Sequence, residues 1–517
     1  MPERLRGAGF SRSWGKAVRA GAVTLDATVP SAVPARWILC GISTRSHTLI
    51  ATRSHTLIAP PAPDPGVPFP VAGSRSSPTG RFNPGRPGEV LPRVRTPAGA
   101  EGLHAMTMRT IHRAMTGALA TAAVTAAVLT VPAAAGTADG TASGRHDRHS
   151  ATRSAMEAQI RAGIPGVLGQ TRDAGGTWQG SAGVADLDTG RPRLPQDRFR
   201  IGSVSKVFTS VVLLQLEAEG RLSLDDSVDR WLPGVVRGNG HDGRGITVRQ
   251  LLNHTSGVYN YTADPEFQKL LGPGFREHRF ETHTPAELVK IATSHAPDFR
   301  PGEGWNYSNT NYILAGLITE KVTGHSYATE IERRIIRPLG LRGTTLPGTS
   351  PKMPDPHGTA YTSALSADPA TKPFDATELN PSWGWAAGEI ISTTGDLNRF
   401  YGALIGGKLL PGAQQRELMT TVSTGGKLPG ARYGLGVAEI PLSCGVTVWS
   451  HTGGIHGSLT MAASTAGGKH TAAFNLNGDW AGDLTALVEG EYCGKTPSGD
   501  SAARTPERAP QKVMTLR

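Results

Sequence analysis

The sequence predicts an α/β protein in which an antiparallel sheet, built from both ends of the folded part and flanked by helices, carries an inserted, mostly helical domain. Three observations support this. One helix-like and two strand-like segments open the folded part, near residues 155–190. Short apolar strand-like segments recur from about Trp385 onward. Between them, from Ser203 to about Leu346, the pattern is mostly helical with long loops.

The front of the chain stands apart. Residues 1–105 carry 13 Arg and Lys against 5 Asp and Glu, are rich in Pro, Gly and Ser, and contain the tandem octapeptide TRSHTLIATRSHTLIA. No periodicity of 3.6 or 2 persists there, so this leader reads as translated upstream sequence or a disordered arm, the former favoured. Residues 106–135 have two arginines, an uncharged apolar run from Met115 to Val131 and the small residues Ala133-Ala134-Ala135. That is the layout of a secretory signal peptide, so the expected start is Met106 or Met108, the product secreted and beginning near Gly136. A transmembrane helix fits less well, because the run is short and rich in Ala and Thr. Residues 136–150 form a polar linker. The net charge of +11 falls mainly in the leader; residues 136–517 carry 38 basic and 37 acidic side chains. A nucleic-acid partner is therefore not expected.

Residues 151–494 form the expected domain, with a helical insert at about 206–380. MEAQIRAGIPGVLGQTRDAGGTWQGSAGVADLDTG gives a helix and two strands separated by turn signals at Asp173–Gly176 and Asp188–Gly190. The segments GEIIST, YGLGVAEI, CGVTVWS, SLTMAAS and TAAFNLNG are expected strands, and AGDLTALVEGEYC a closing helix. Residues 495–517 are an expected disordered tail. The GKT at residues 494–496 lacks the phosphate-loop glycine, Glu489 standing in its place. Cys444 and Cys493 remain in the expected mature chain, where export permits oxidation; Cys40 does not. No metal or cofactor is expected.

Ser203-Val204-Ser205-Lys206 opens an apolar helix. Residues three apart are neighbours on a helix, so Lys206 reaches the Ser203 hydroxyl, and the helix N-terminus favours developing negative charge. A buried lysine without a carboxylate in its own segment is costly unless neutral or paired. Ser13-Trp14-Gly15-Lys16 shows that the pattern alone is weak, and an N-cap serine with a snorkelling lysine explains it equally well. Two later triplets decide between these readings. Tyr307-Ser308-Asn309 is the only Tyr-x-Asn, and His451-Thr452-Gly453 the only Lys/His-Thr-Gly. The ordered trio is a signature of nucleophilic acyl transfer.

With these motifs and with RFRIGSVSK, ITVRQLLNHTSGVYNYT, YSNTNYILAG, YGLG, LSCG and CGK, the chain resembles the serine β-lactamase and penicillin-binding superfamily, in its class C and DD-peptidase branch. The resemblance implies a β-lactamase/transpeptidase-like fold and a Cys444–Cys493 disulfide. It implies Ser203 as nucleophile, with Lys206 and Tyr307 moving its proton. It places Asn309 against Lys206 and the substrate amide, and the N–H groups of Ser203 and Gly454 in an oxyanion hole, with Gly453 beside them. His451 and Thr452 face a substrate carboxylate, and Trp383 lines the cleft. The implied activity is a serine-type D-Ala-D-Ala carboxypeptidase acting on peptidoglycan stem peptides and acylated by penicillins. Alternatives are an esterase, a D-amino-acid amidase, a β-lactamase, or a penicillin-binding sensor without turnover.

Two positions depart from the carboxypeptidase pattern. Ala438 stands where the resemblance implies a carboxylate-clamping arginine, and Gly454 lacks a hydroxyl. That leaves His451, with an ordinary pKa of about 6.5, as the expected cation for an acidic substrate, losing affinity as pH rises through neutrality. His254 is expected to shape a turn. His456 is expected either to touch substrate or to lie on a surface glycine loop, and Phe267 is a candidate cleft wall.

Overall fold

The computed structural model describes residues 148–363 and 372–496. The leader, the signal-like segment, nearly all of the polar linker and nearly all of the tail lie outside the described residues. The chain enters the fold through helix α1 (Ser150–Arg161) and the hairpin of β1 (Gly166–Asp173) and β2 (Gly176–Gly183), as the sequence predicts. Strand β3 (Phe199–Arg200) and a 3-10 turn, Gly202–Val204, lead into α2 (Ser205–Ala218).

Five further helices are α3 (Val248–Leu252), α4 (Pro265–Leu271), α5 (Phe275–His278), α6 (Pro285–Thr293) and α7 (Asn309–Thr323). Local chemistry sets their ends. Thr247 with Gln250, and Thr284 with Glu287, form reciprocal capping boxes that satisfy the free N–H groups at the starts of α3 and α6. Gly324, left-handed, closes α7.

The return half supplies β4 (Ile391–Ser392), α8 (Thr394–Ile405), α9 (Gly412–Met419), β5 (Val422–Ser423), β6 (Arg432–Tyr433), β7 (Ala438–Pro441), β8 (Thr447–Ile455), β9 (Ser458–Thr465), β10 (Thr471–Leu476) and α10 (Leu484–Cys493). Eight strands form one antiparallel sheet in the order β2-β1-β10-β9-β8-β7-β6-β5. Strands from both ends thus meet at the β1–β10 pairing, where Val167 faces Leu476.

Helices cover both faces of the sheet. On one side α1 and α10 pack together, and Met156 and Val488 join Phe474 in a core. On the other, α8 lies against β1, β9 and β10, and Phe400 stacks on Phe208 of α2 at 3.8 Å. This explains why β10 is buried at all six residues whereas the edge strand β2 alternates.

Two elements differ from expectation. GEIIST contributes only β4, which pairs with β3 in a separate ribbon rather than joining the main sheet. The next residues form α8, a helix that the sequence reading does not single out. Nine of its twelve residues are buried, and Leu397, Phe400, Tyr401, Leu404 and Ile405 line one face at helical spacing.

Cys444, between β7 and β8, is bonded to Cys493 at the end of α10, closing a separation of 49 residues. Replacing both by serine is expected to cost about 2–4 kcal/mol and lower the melting temperature by several degrees. Calorimetry of oxidised wild type against the double variant checks this; identical melting temperatures would contradict it.

Candidate active site

The site forms where the turn before α2 meets β8. Gly202 has φ +49°, and a Cβ built on it would lie 2.7–2.9 Å from Gly454 backbone atoms. A Cβ on Gly453 would lie 1.9 Å from the Ile201 carbonyl oxygen and 2.9 Å from Ser203 N. Backbone therefore packs directly on backbone, and this proximity brings the Ser203 and Gly454 amides to one place. Thr452 and Gly454 are partly exposed while His451 and Gly453 are buried, as the alternation of a strand requires.

Ser203 lies in the 3-10 turn, two residues ahead of the helix start at Ser205, and Lys206 lies in the first turn of α2. Lys206 is fully buried, with Nζ 2.9 Å from Ser203 Oγ, 2.7 Å from Asn309 Oδ1 and 2.8 Å from the Ala387 carbonyl oxygen. Burial holds its pKa well below the usual lysine value, which favours the free amine. Asn309 Nδ2 donates to Thr262 Oγ1 at 3.1 Å, so Oδ1 is the atom turned to the lysine. Both partners other than serine can only accept. A neutral amine donates its two protons to them and turns its lone pair to the Ser203 hydroxyl.

Tyr307 is 5% exposed, and Lys206 Nζ stands 4.9 Å from its ring centroid. Burial drives its pKa far up, opposed in part by the Ser203 hydroxyl, so it is a phenol and not a phenolate. The phenol makes no well-directed hydrogen bond. Ser205, the other serine of the motif, is buried, and its Oγ accepts the Ile390 N–H at 3.1 Å. The structure therefore brings together Ser203, Lys206, Tyr307, Asn309 and the His451–Gly454 strand.

His451 corrects the expected cation. It is 3% exposed, its Nδ1–H donates to the Thr452 carbonyl, and Tyr433 Oη donates to its Nε2 at 2.9 Å. Burial pushes its pKa down to about 3. His451 is neutral throughout the physiological range. Ala438, also buried, clusters with Trp305, Tyr307 and Tyr433, so the position of the implied arginine is an apolar, aromatic wall.

Three other residues sit deeper than expected. Trp383 is 5% exposed and meets His456 edge-on at 6.0 Å. His456 is on no surface loop: its ring stacks on Phe275 at 3.7 Å and its Nε2–H donates to Leu271 O at 2.6 Å. Phe267 packs edge-on against Tyr261 and His283 within the core. Sequence reasoning did not single out the Ala387 carbonyl, Thr262 or Tyr433. Thr262 and Tyr433 lie within the motif-like YNYT and YGLG, but the Ala387 carbonyl belongs to the backbone and leaves no side-chain signal. Among the described residues no group of three His, Cys, Asp or Glu could hold a metal ion, and no helix is long and apolar enough to cross a membrane.

A serine hydroxyl presented to a desolvated lysine, with a phenol beside both, is the apparatus of a serine hydrolase. The chain belongs to the beta-lactamase family, whose model, described as Beta-lactamase, matches residues 151–479. Among solved structures it is similar to a D-stereospecific amidohydrolase from Streptomyces sp., with 54% identity and a TM-score of 0.64, over 67% of this chain and 99% of that one. A D-amino acid amidase from Ochrobactrum anthropi SV3 is 27% identical, TM-score 0.58, over 66% and 96%. A penicillin-binding protein of Bacillus subtilis is 30% identical over 54% of this chain, and Esterase EstB of Burkholderia gladioli 34% over 31%. The chain spans 61% and 41% of the lengths of these two curated relatives.

Two outcomes are expected. Gly453→Ala should lower the acylation rate roughly 10²-fold by displacing the Ser203 turn, while Gly454→Ala, whose Cβ meets nothing closer than 3.4 Å, should change it little. Equal rates in a stopped-flow comparison would contradict the packing account. KM for a carboxylate substrate should stay flat between about pH 5.5 and 8.5, because His451 carries no proton to lose there. A steady rise in KM across that window would show a charged His451.

Proposed function

We propose that the chain hydrolyses amides and esters of D-amino acids through an acyl-enzyme on Ser203. The observation that carries this reading is the uncharged wall of the site. A peptide ending in a carboxylate needs a cation or a set of donors, whereas His451 is neutral and Ala438 sits among aromatic rings. An amide or ester on the leaving side needs neither. The D configuration is taken from the two amide-hydrolysing relatives.

In this mechanism the Ser203 proton passes to the Lys206 lone pair as Oγ attacks the substrate carbonyl. The oxyanion is held by the Ser203 and Gly454 N–H groups. Tyr307 gives its phenolic proton to the leaving amine and is reprotonated from Lys206. A water then cleaves the acyl ester by the reverse proton path. Asn309 keeps Lys206 aimed at Ser203.

The carboxypeptidase reading ranks second. It has the family and the acylating apparatus in its favour, and it predicts covalent capture by penicillins. Secretion is part of the proposal, supported by the signal-like segment at 106–135 and by the Cys444–Cys493 bridge.

The test compares kcat/KM for D-phenylalanine amide, L-phenylalanine amide and an N-acylated D-Ala-D-Ala peptide. The D-amide is expected to exceed the other two by about 100-fold or more, and Ser203→Ala to abolish all turnover. A preference for the carboxylate-ended peptide would replace this reading with the carboxypeptidase. N-terminal sequencing of exported protein should begin near Gly136; leader residues on it would overturn the processing scheme.

A further inference from the structure

Tyr307 lies in an irregular segment. Residues 304–308 adopt no regular structure, α7 begins only at Asn309, and the Ser308 side chain makes no capping hydrogen bond. Something outside the segment must therefore aim the phenol. The loop after α3 does this, and His254 is its centre. The His254 carbonyl oxygen accepts the Asn306 N–H at 3.1 Å, and its Nδ1 accepts the Ser308 N–H at 3.2 Å. These two bonds bracket Tyr307, whose ring lies 4.4 Å from the imidazole.

Only one form of His254 can do this. Nδ1 also accepts from Asn311 Nδ2 at 3.1 Å, and Asn311 is oriented by the Ser256 hydroxyl donating to its Oδ1 at 2.6 Å. With two donors aimed at it, Nδ1 carries the lone pair and Nε2 the proton. Among the described residues that Nε2 has no hydrogen-bond partner, and the ring packs against Trp305, Tyr312 and Tyr433 as well as Tyr307. His254 is fully buried with φ +64°, a left-handed turn that a histidine adopts only where its surroundings hold it there.

We propose that His254 is a positioning residue for Tyr307: its Nδ1 and its carbonyl grip the peptide groups on either side of the tyrosine and aim the phenol at Ser203. The proposal rests on Tyr307 moving a proton during acylation, and not on the identity of the substrate.

The test uses p-nitroacetanilide, an achiral amide without a carboxylate whose leaving nitrogen must take up a proton, and reads the acylation rate by the release of p-nitroaniline. His254→Asn keeps an acceptor near the Nδ1 position and tolerates positive φ; His254→Leu removes the acceptor. The leucine variant should acylate about 30-fold more slowly with KM within about twofold, and the asparagine variant should remain within about threefold of wild type. Should the leucine variant not fold, His254→Gly, which suits the turn, carries the same expectation. In a Tyr307→Phe background the His254→Leu change should add less than about twofold, because the residue it positions is gone. The same fold-loss in both backgrounds, or undiminished acylation in His254→Leu, would overturn the proposal. Undiminished acylation in Tyr307→Phe alone would overturn it together with the role given to Tyr307. A failed amide preference would leave it standing.

Discussion

The short contacts of Lys206 with Ser203, Asn309 and Ala387 constrain everything around them. A buried ammonium group with no carboxylate partner is strongly disfavoured, and among the described residues none pairs with Lys206. The surroundings instead favour the amine, whose two protons have acceptors in place and whose lone pair has the serine. The same desolvation keeps Tyr307 a phenol and His451 and His254 neutral imidazoles. The site is thus a set of uncharged proton carriers at rest, and charge appears in it only as bonds are made and broken.

Such a site needs a rigid frame, because the lone pair, the hydroxyl and the oxyanion donors must agree to within fractions of an ångström. The frame is backbone against backbone. Gly202 and Gly453 let the nucleophile turn rest on β8, while β3 and β4 pin the chain just before that turn. The Ser458 hydroxyl, donating to the Arg200 carbonyl at 2.8 Å, ties the adjoining strand to the same place. Strands from both ends of the folded domain close the sheet behind this junction, so its position is set by the domain as a whole rather than by one loop.

Much of this was legible in the sequence. The ordered triplets at Ser203, Tyr307 and His451 locate the side chains that meet, and the strand-like segments at both ends locate the sheet. Other features are properties of burial and escape a one-dimensional pattern. A histidine in a Lys/His-Thr-Gly triplet looks like a cation until Tyr433 and the sheet enclose it. The Ala387 carbonyl has no letter of its own. His254 reads as a turn former, which its φ of +64° makes it, yet the same turn carries an acceptor to Tyr307.

The central claim is that Lys206 rests as a free amine. Proton–carbon NMR of the lysine Cε groups across a pH titration measures this directly, with Lys206→Arg identifying the resonance. The account predicts one lysine that titrates well below the exposed lysines and vanishes in the arginine variant. A Lys206 signal that titrates together with the exposed lysines would mean a charged resting lysine, and the mechanism built on its lone pair would fail.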